Sequence, residues 1–133
     1  MRRLTAWYLA IVLLSLALLV ACGEATPSPG SPREAAQQVA RAYVLASPTY
    51  AFDGIPETLV LVSQTVITGD VTFKFLYEFD SRHAGYGDRT GQALAQVITR
   101  HRASITVENG KVTSAIMDDA WDMQAQATVG GKI

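Results

Sequence analysis

Val71-Thr72-Phe73-Lys74-Phe75-Leu76-Tyr77-Glu78-Phe79-Asp80 is the stretch that decides the fold. Val71, Phe73, Phe75, Tyr77 and Phe79 fall on one parity, and Thr72, Lys74, Leu76, Glu78 and Asp80 on the other. A period of two puts successive side chains on opposite faces, so this is a strand with one apolar face that has to be covered.

Working outward, a second alternation runs through Ala95, Val97, Thr99, His101, Ala103, Ile105 and Val107. Asn109-Gly110 closes it with the dipeptide favoured where both central turn residues need positive φ, and residues 112–117 supply the return strand. On the other side, residues 58–67 are rich in β-branched types and end at the turn signal Thr68-Gly69-Asp70. That makes four antiparallel strands with hairpin-like connections.

Ahead of them, Ser31-Pro32-Arg33-Glu34 is a helix start. The serine caps, proline fits the first helical position and the glutamate completes a capping box. Ala36, Val39, Ala40, Tyr43, Val44 and Ser47 then form one stripe at helical spacing, and Pro48 ends it. Asp53-Gly54-Ile55-Pro56 reads as a turn, with Tyr50 and Phe52 before it as core. Residues 118–126 are expected to make a short C-terminal helix that lays Trp121 on the sheet. The expected fold is therefore α+β, an N-terminal helix packed on a four-stranded antiparallel sheet. In architecture alone it resembles the cystatin-like folds.

The averages of the 133-residue chain, 49% apolar with 11 basic and 12 acidic residues, conceal two unlike pieces. Residues 1–21 hold 17 apolar residues and only Arg2 and Arg3 as charges. The remaining 112 are about 43% apolar, an ordinary globular composition, with 9 basic and 12 acidic residues and a net charge of −3. A strong nucleic-acid binder is not expected, for want of a basic excess to release phosphate counterions. Cys22 is the only cysteine, which excludes a disulfide scaffold, and no second long apolar run supports a polytopic membrane protein.

Arg2 and Arg3 form a basic n-region ahead of an uncharged apolar run from Leu4 to Ala21. The run is long enough to be a transmembrane anchor, so its ending decides. Leu19-Val20-Ala21-Cys22-Gly23 resembles the lipobox of bacterial lipoprotein signal peptides. That resemblance implies cleavage after residue 21, acylation of Cys22, and an extracytoplasmic, membrane-anchored protein in the cell envelope. The alternative is an uncleaved single-span anchor. Gly23 is not the aspartate associated with inner-membrane retention. Residues 22–32 follow as a Pro/Gly/Ser-rich tether, extended at about 3.1 Å per residue. The domain is expected over residues 33–126, with a disordered tail at 127–133.

Residues 80–92 form a long connection between two well-patterned strands, and they concentrate Arg82, His83, Tyr86, Asp88 and Arg89 with three glycines. Paired arginine forks suit carboxylate or phosphate, and binding residues often sit on loops held by a rigid sheet. The loop is either a ligand or partner site, or a structural Ω-type loop with Asp88 on one arginine and Tyr86 folded inward. The glycine spacing matches neither a dinucleotide fingerprint nor a P-loop. His101 lies on the apolar parity of its strand, either as a hydrogen-bonded core residue or close to His83. With Asp88 the two histidines would make a metal site or a His–carboxylate base. No HExxH motif or nucleophile elbow accompanies them, and Asp118, Asp119 and Asp122 lack the rest of a calcium loop. No catalytic residue, metal or cofactor is assigned.

Residues 47–54, 82–92 and 118–122 together resemble an uncharacterised family of small prokaryotic envelope proteins, over about residues 33–126. The resemblance implies no known activity. The function expected is a lipoprotein acting as a non-enzymatic binding or interaction module for an envelope protein or a small anionic ligand. The alternatives are a small hydrolase or metal-dependent enzyme using His83, Asp88 and His101, and a purely structural envelope protein.

Overall fold

The computed structural model describes residues 30–131. The signal segment, Cys22 and the tether as far as residue 29 lie outside the described residues, as do 132 and 133.

Helix α1 spans Pro32–Ala46. The Ser31 hydroxyl accepts from the Glu34 N–H, and the Glu34 carboxylate accepts from the Ser31 N–H at 2.8 Å. Both bonds satisfy donors that a helix start leaves orphaned. Ala36, Ala40 and Val44 are buried at four-residue spacing. Ser47 is extended at ψ 141° because Pro48 disfavours helical geometry before it. Pro48 then starts a second, six-residue helix, α2, over Pro48–Asp53. Gly54 stops α2, because a Cβ there would lie 2.7 Å from the Tyr50 ring.

A 3₁₀ turn over Pro56–Thr58 leads into six strands: β1 Val60–Thr68, β2 Thr72–His83, β3 Gln96–Glu108, β4 Lys111–Met117, β5 Trp121–Asp122 and β6 Ala127–Thr128. They form one antiparallel sheet in sequence order. Phe73, Phe75, Tyr77 and Phe79 of β2 point to the helix side, opposite Val107, Ile105, Ala103 and His101 of β3. The alanines of α1 let its backbone approach these large rings, and the Tyr77 hydroxyl donates to the Gln37 carbonyl at 3.2 Å. The helix packs on β2, β3 and β4 and leaves β1 uncovered. Asn109 and Gly110 both take positive φ, 49° and 75°, as a two-residue hairpin turn demands.

The architecture corrects the expected one-helix, four-stranded arrangement with its C-terminal helix. The sheet has six strands, and α2 is an additional helix. Residues 118–126 are not helical but form a turn, strand β5 and a second turn. The reason lies in the backbone at the start of the segment: Asp118 and Asp119 both have positive φ, 53° and 56°. Two successive left-handed residues cannot open a right-handed helix, and aspartate tolerates that region better than most residues. The Asp122 carboxylate then accepts from the N–H groups of Gln124 and Ala125, holding the second turn. Ala127 and Thr128, placed in the tail by sequence, pair with β5. Val97, placed on the apolar parity, is 53% exposed, because β3 begins beyond the reach of the helical layer.

Replacing Phe75 by alanine should cost about 3–5 kcal/mol through the cavity it leaves. Ala40→Leu should cost about 1–3 kcal/mol through overpacking against the sheet. Urea denaturation of each variant checks both values.

Candidate functional site

The polar residues singled out in sequence gather where the C-terminal end of β2, the start of β3 and helix α2 meet. They form two clusters. In the first, Asp53, the last residue of α2, is the hub. Its Oδ1 accepts from Arg89 Nη2 at 2.6 Å, and its Oδ2 lies 2.7 Å from His83 Nδ1. Asp53 and Arg89 side chains are only 5% and 3% exposed. Arg89 also donates through Nη1 to the carbonyls of Ala84 and Gly85, and its guanidinium lies 4.8 Å above the Phe52 ring. A Cβ on Gly85, whose φ is 101°, would crowd the Arg89 side chain at 3.2 Å. The Gly87 N–H donates to Thr49 at 2.8 Å. The connection after β2 is thereby fastened to α2 at two points, and the Arg89 fork is occupied by protein. Arg89 Nε is buried without a partner.

The second cluster runs through His101. Its Nε2 lies 3.1 Å from Ser81 Oγ and its Nδ1 2.7 Å from Asp118 Oδ2. A serine, a histidine and an aspartate in that order have the connectivity of a hydrolytic triad. Two observations tell against that use. Ser81 and His101 are 0% and 1% exposed, so no substrate carbonyl reaches the hydroxyl. The Ser81 hydroxyl also donates to the His83 carbonyl at 2.7 Å. Its single proton is thus directed away from the imidazole that would have to remove it.

Burial alone would push the Asp118 carboxyl up. Bonds from the His101 ring, the Arg102 N–H and the Tyr86 hydroxyl outweigh it and hold the group below its ordinary value. Tyr86 stacks on Trp121 at 5.3 Å and flanks His101 at 5.6 Å, and burial raises its phenol together with the nearby Asp118 charge.

The residues chosen by sequence are therefore divided. His83 belongs to the Asp53 cluster and His101 to the Asp118 cluster, while Asp88 accepts from the N–H and hydroxyl of Thr90 in its own turn. The three do not converge. Tyr86 and Arg89 are structural fastenings, and Arg82 is exposed beside His83, Gln96 and Ile98 along a shallow depression. Sequence reasoning missed Asp53, Ser81 and Asp118 as partners. Among the described residues, no cluster of three or more His, Cys, Asp or Glu side chains is arranged to hold a metal.

What remains open is the sheet face opposite α1. Ser63, Thr65, Lys74, Leu76, Arg102, Ser104, Asp118 and Asp119 line a depression of about 530 Å³ there. Arg102 reaches Glu78 at 3.1 Å and Arg100 reaches Asp80 at 2.9 Å on the same face.

No family model, no curated protein and no solved structure matches this chain, so expectations for these clusters follow from geometry. Asp53→Ala should destabilise by about 3–5 kcal/mol, because it leaves a buried guanidinium unpaired. The exposed Asp88→Ala should change stability by less than about 1 kcal/mol. Chemical denaturation at neutral pH compares them. The Asp118 carboxyl is held low in the folded state, so its contribution is present above the ordinary carboxylate value of 3.8 and fades as pH falls below it. Asp118→Asn should flatten that acid limb in melting curves recorded between pH 2 and pH 6.

Proposed function

We propose that the protein is an acylated, membrane-anchored binding module of the cell envelope, and that it is not an enzyme. The anchoring part rests on Leu19-Val20-Ala21-Cys22-Gly23 and on the basic and apolar segments before it. More than one acyl chain, at about 0.8 kcal/mol per buried CH₂, is needed for durable attachment.

The observation that carries the binding part is the contrast between two surfaces. At the α2 end the ionisable groups most suited to chemistry are spent on one another: Asp53 with Arg89 and His83, Asp118 with His101. The open sheet face instead offers hydroxyls, Lys74 and Asp119 around a depression about 530 Å³ in volume, bordered by the Arg102–Glu78 pair. Groups of both signs, spaced along neighbouring strands, suit a polar segment of another envelope protein better than a small anion. An anion would want several uncommitted cations, and Arg89, Arg100 and Arg102 already face carboxylates. Rigid strands supply the preorganisation such a surface needs.

Cys22→Ser tests the anchoring. The wild-type chain should partition with membranes and give an acylated Cys22 N-terminus by mass spectrometry. The variant should lose both properties while its melting temperature stays unchanged, and an unmodified Met1 on the wild-type chain would sink this reading. Lys74→Glu with Arg102→Glu tests the face. The yield of crosslinked adducts in intact cells should fall about tenfold, equivalent to 1.4 kcal/mol, without loss of cooperative melting.

A further inference from the structure

Strand β1, Val60-Leu61-Val62-Ser63-Gln64-Thr65-Val66-Ile67-Thr68, is the least protected element of the fold. It hydrogen-bonds to β2 on one side, and nothing among the described residues pairs with its outer edge. Helix α1 does not pack on it. Eight of its nine residues are exposed, with Val60 at 51% and Ile67 at 53%. It carries no charged residue and no proline, two of the usual means of blunting an open edge, and its β-bulges fall outside the central residues, at 61–63 and 66–68. A strand so rich in β-branched residues, with Leu61 alone packed against the core, is a template for another strand.

The order of residues in β1 says which strand. About Gln64 it reads alike in both directions by chemistry: Ser63 mirrors Thr65, Val62 mirrors Val66, Leu61 mirrors Ile67, and Val60 mirrors Thr68. In a two-fold contact between identical strands residue i meets j and j meets i, so such a pattern sets like against like along the whole seam. Pairing with a foreign strand draws no such benefit from it.

The backbone narrows the choice further. Along residues 63–66 the register with β2 is regular, so alternate residues turn their N–H and C=O groups toward β2 and the others outward. In two identical antiparallel strands the outward sets meet only if paired residues share parity, which places the axis on a residue rather than between two. Centred on residue 63 or 65, the pairing would set valine against glutamine or serine against isoleucine. Centred on Gln64, it sets apolar against apolar and hydroxyl against hydroxyl.

Charge is compatible as well. On the open face Lys74 stands beside Thr65, and its row would continue through Ser63 to Leu76 of the second copy. Glu78 stands beside Val60, and its row would continue through Thr68 to Thr72 of the second copy. No like charges meet on that face, while on the helical face Arg33 of each copy borders Gln64 and Val66.

We infer that β1 is a homodimer interface, pairing antiparallel with β1 of a second copy about Gln64 to make a continuous twelve-stranded sheet. Residues 63–66, the regular part of β1 between its two bulges, would supply the central main-chain hydrogen bonds of the ladder. Each copy would keep its α1 on the same side of the joined sheet. The inference does not depend on acylation.

Cysteine crosslinking of the full-length chain tests it, in a Cys22→Ser background that removes the only native thiol. Paired residues in an antiparallel ladder have Cα atoms about 4.5–5.5 Å apart, within disulfide range. Gln64→Cys should therefore form a disulfide dimer on mild oxidation, at least about tenfold more than Thr113→Cys on exposed β4. Val62→Cys and Val66→Cys should each crosslink poorly alone but efficiently when mixed. In sedimentation equilibrium the uncrosslinked parent should have twice the chain mass, and Val62→Lys should return it to one chain mass with cooperative melting retained. A parent of one chain mass overturns the proposal, as does a Gln64→Cys yield no higher than that of Thr113→Cys. A mixed pair no better than its members overturns the Gln64 register. Failure of Cys22→Ser to release the protein from membranes would instead count against the anchoring reading alone.

Discussion

The four large side chains Phe73, Phe75, Tyr77 and Phe79 on one side of β2 set the terms for the rest of the molecule. Each is buried, and together they demand a cover that is smooth enough to lie close and long enough to span them. The Ala36, Ala40 and Val44 stripe of α1 supplies it, with small residues facing large ones so that the layers interdigitate without strain. Because β2 sits next to β3 in the sheet, the same cover extends to Ala103, Ile105 and Val107, and then to Ala115 and Met117 of β4. One helix is wide enough for three strands and no more. That limit leaves β1 outside the core and obliges α2 and the segment after β2 to close the end that α1 does not reach.

Closing that end brings charge into a dry place. Arg89 is 3% exposed and the His101 ring 1%, and a buried charge or polar group is tolerated only when it is paired or hydrogen-bonded. Asp53 and Asp118 meet that requirement from opposite sides, one from the end of α2 and one from the turn after β4. The histidine, arginine and aspartate side chains of this region are thereby bonded chiefly to one another. The Ser81–His101–Asp118 chain has the connectivity of a catalytic relay, yet the serine proton is committed to the His83 carbonyl. The bonds that would activate a nucleophile here hold two strands and a turn together.

Features governed by neighbours in sequence were legible. The capping box at Ser31, the extended Ser47 before Pro48, the parity of β2 and the Asn109-Gly110 turn each depend on residues within a few positions. The partners in the two polar clusters were not, because Asp53 lies 36 residues from Arg89 and Asp118 lies 17 from His101. Asp53 read only as a turn residue, and Ser81 as part of the long connection over residues 80–92, since nothing local marks a hydroxyl as the meeting point of two strands. The C-terminal segment failed for a different reason. Its composition permits a helix, but the Arg102 carbonyl accepts from the Asp118 N–H while the Arg102 N–H donates to the Asp118 carboxylate. Those bonds draw residues 118 and 119 into left-handed geometry, a tertiary influence that composition does not carry.

The two proposals constrain each other geometrically. An antiparallel pair of identical strands in one sheet is related by a two-fold axis normal to that sheet, so both copies of α1 would lie on the same side. Two chains anchored in one bilayer are equivalent only if the axis is also normal to the membrane. The joined sheet would then lie flat over the surface, rather than standing on end. Each α1 begins at Pro32, ten residues after Cys22, and ten residues reach at most about 35 Å. The helical layer, where that chain enters the domain, would therefore face the lipid. The open face bearing Lys74, Arg102, Asp118 and Asp119 would look away from it. Confinement to one surface raises the effective concentration of β1 edges, so that a modest pairing energy suffices. Anchoring would thereby favour the pairing, and the pairing would present two copies of the polar face toward the same side.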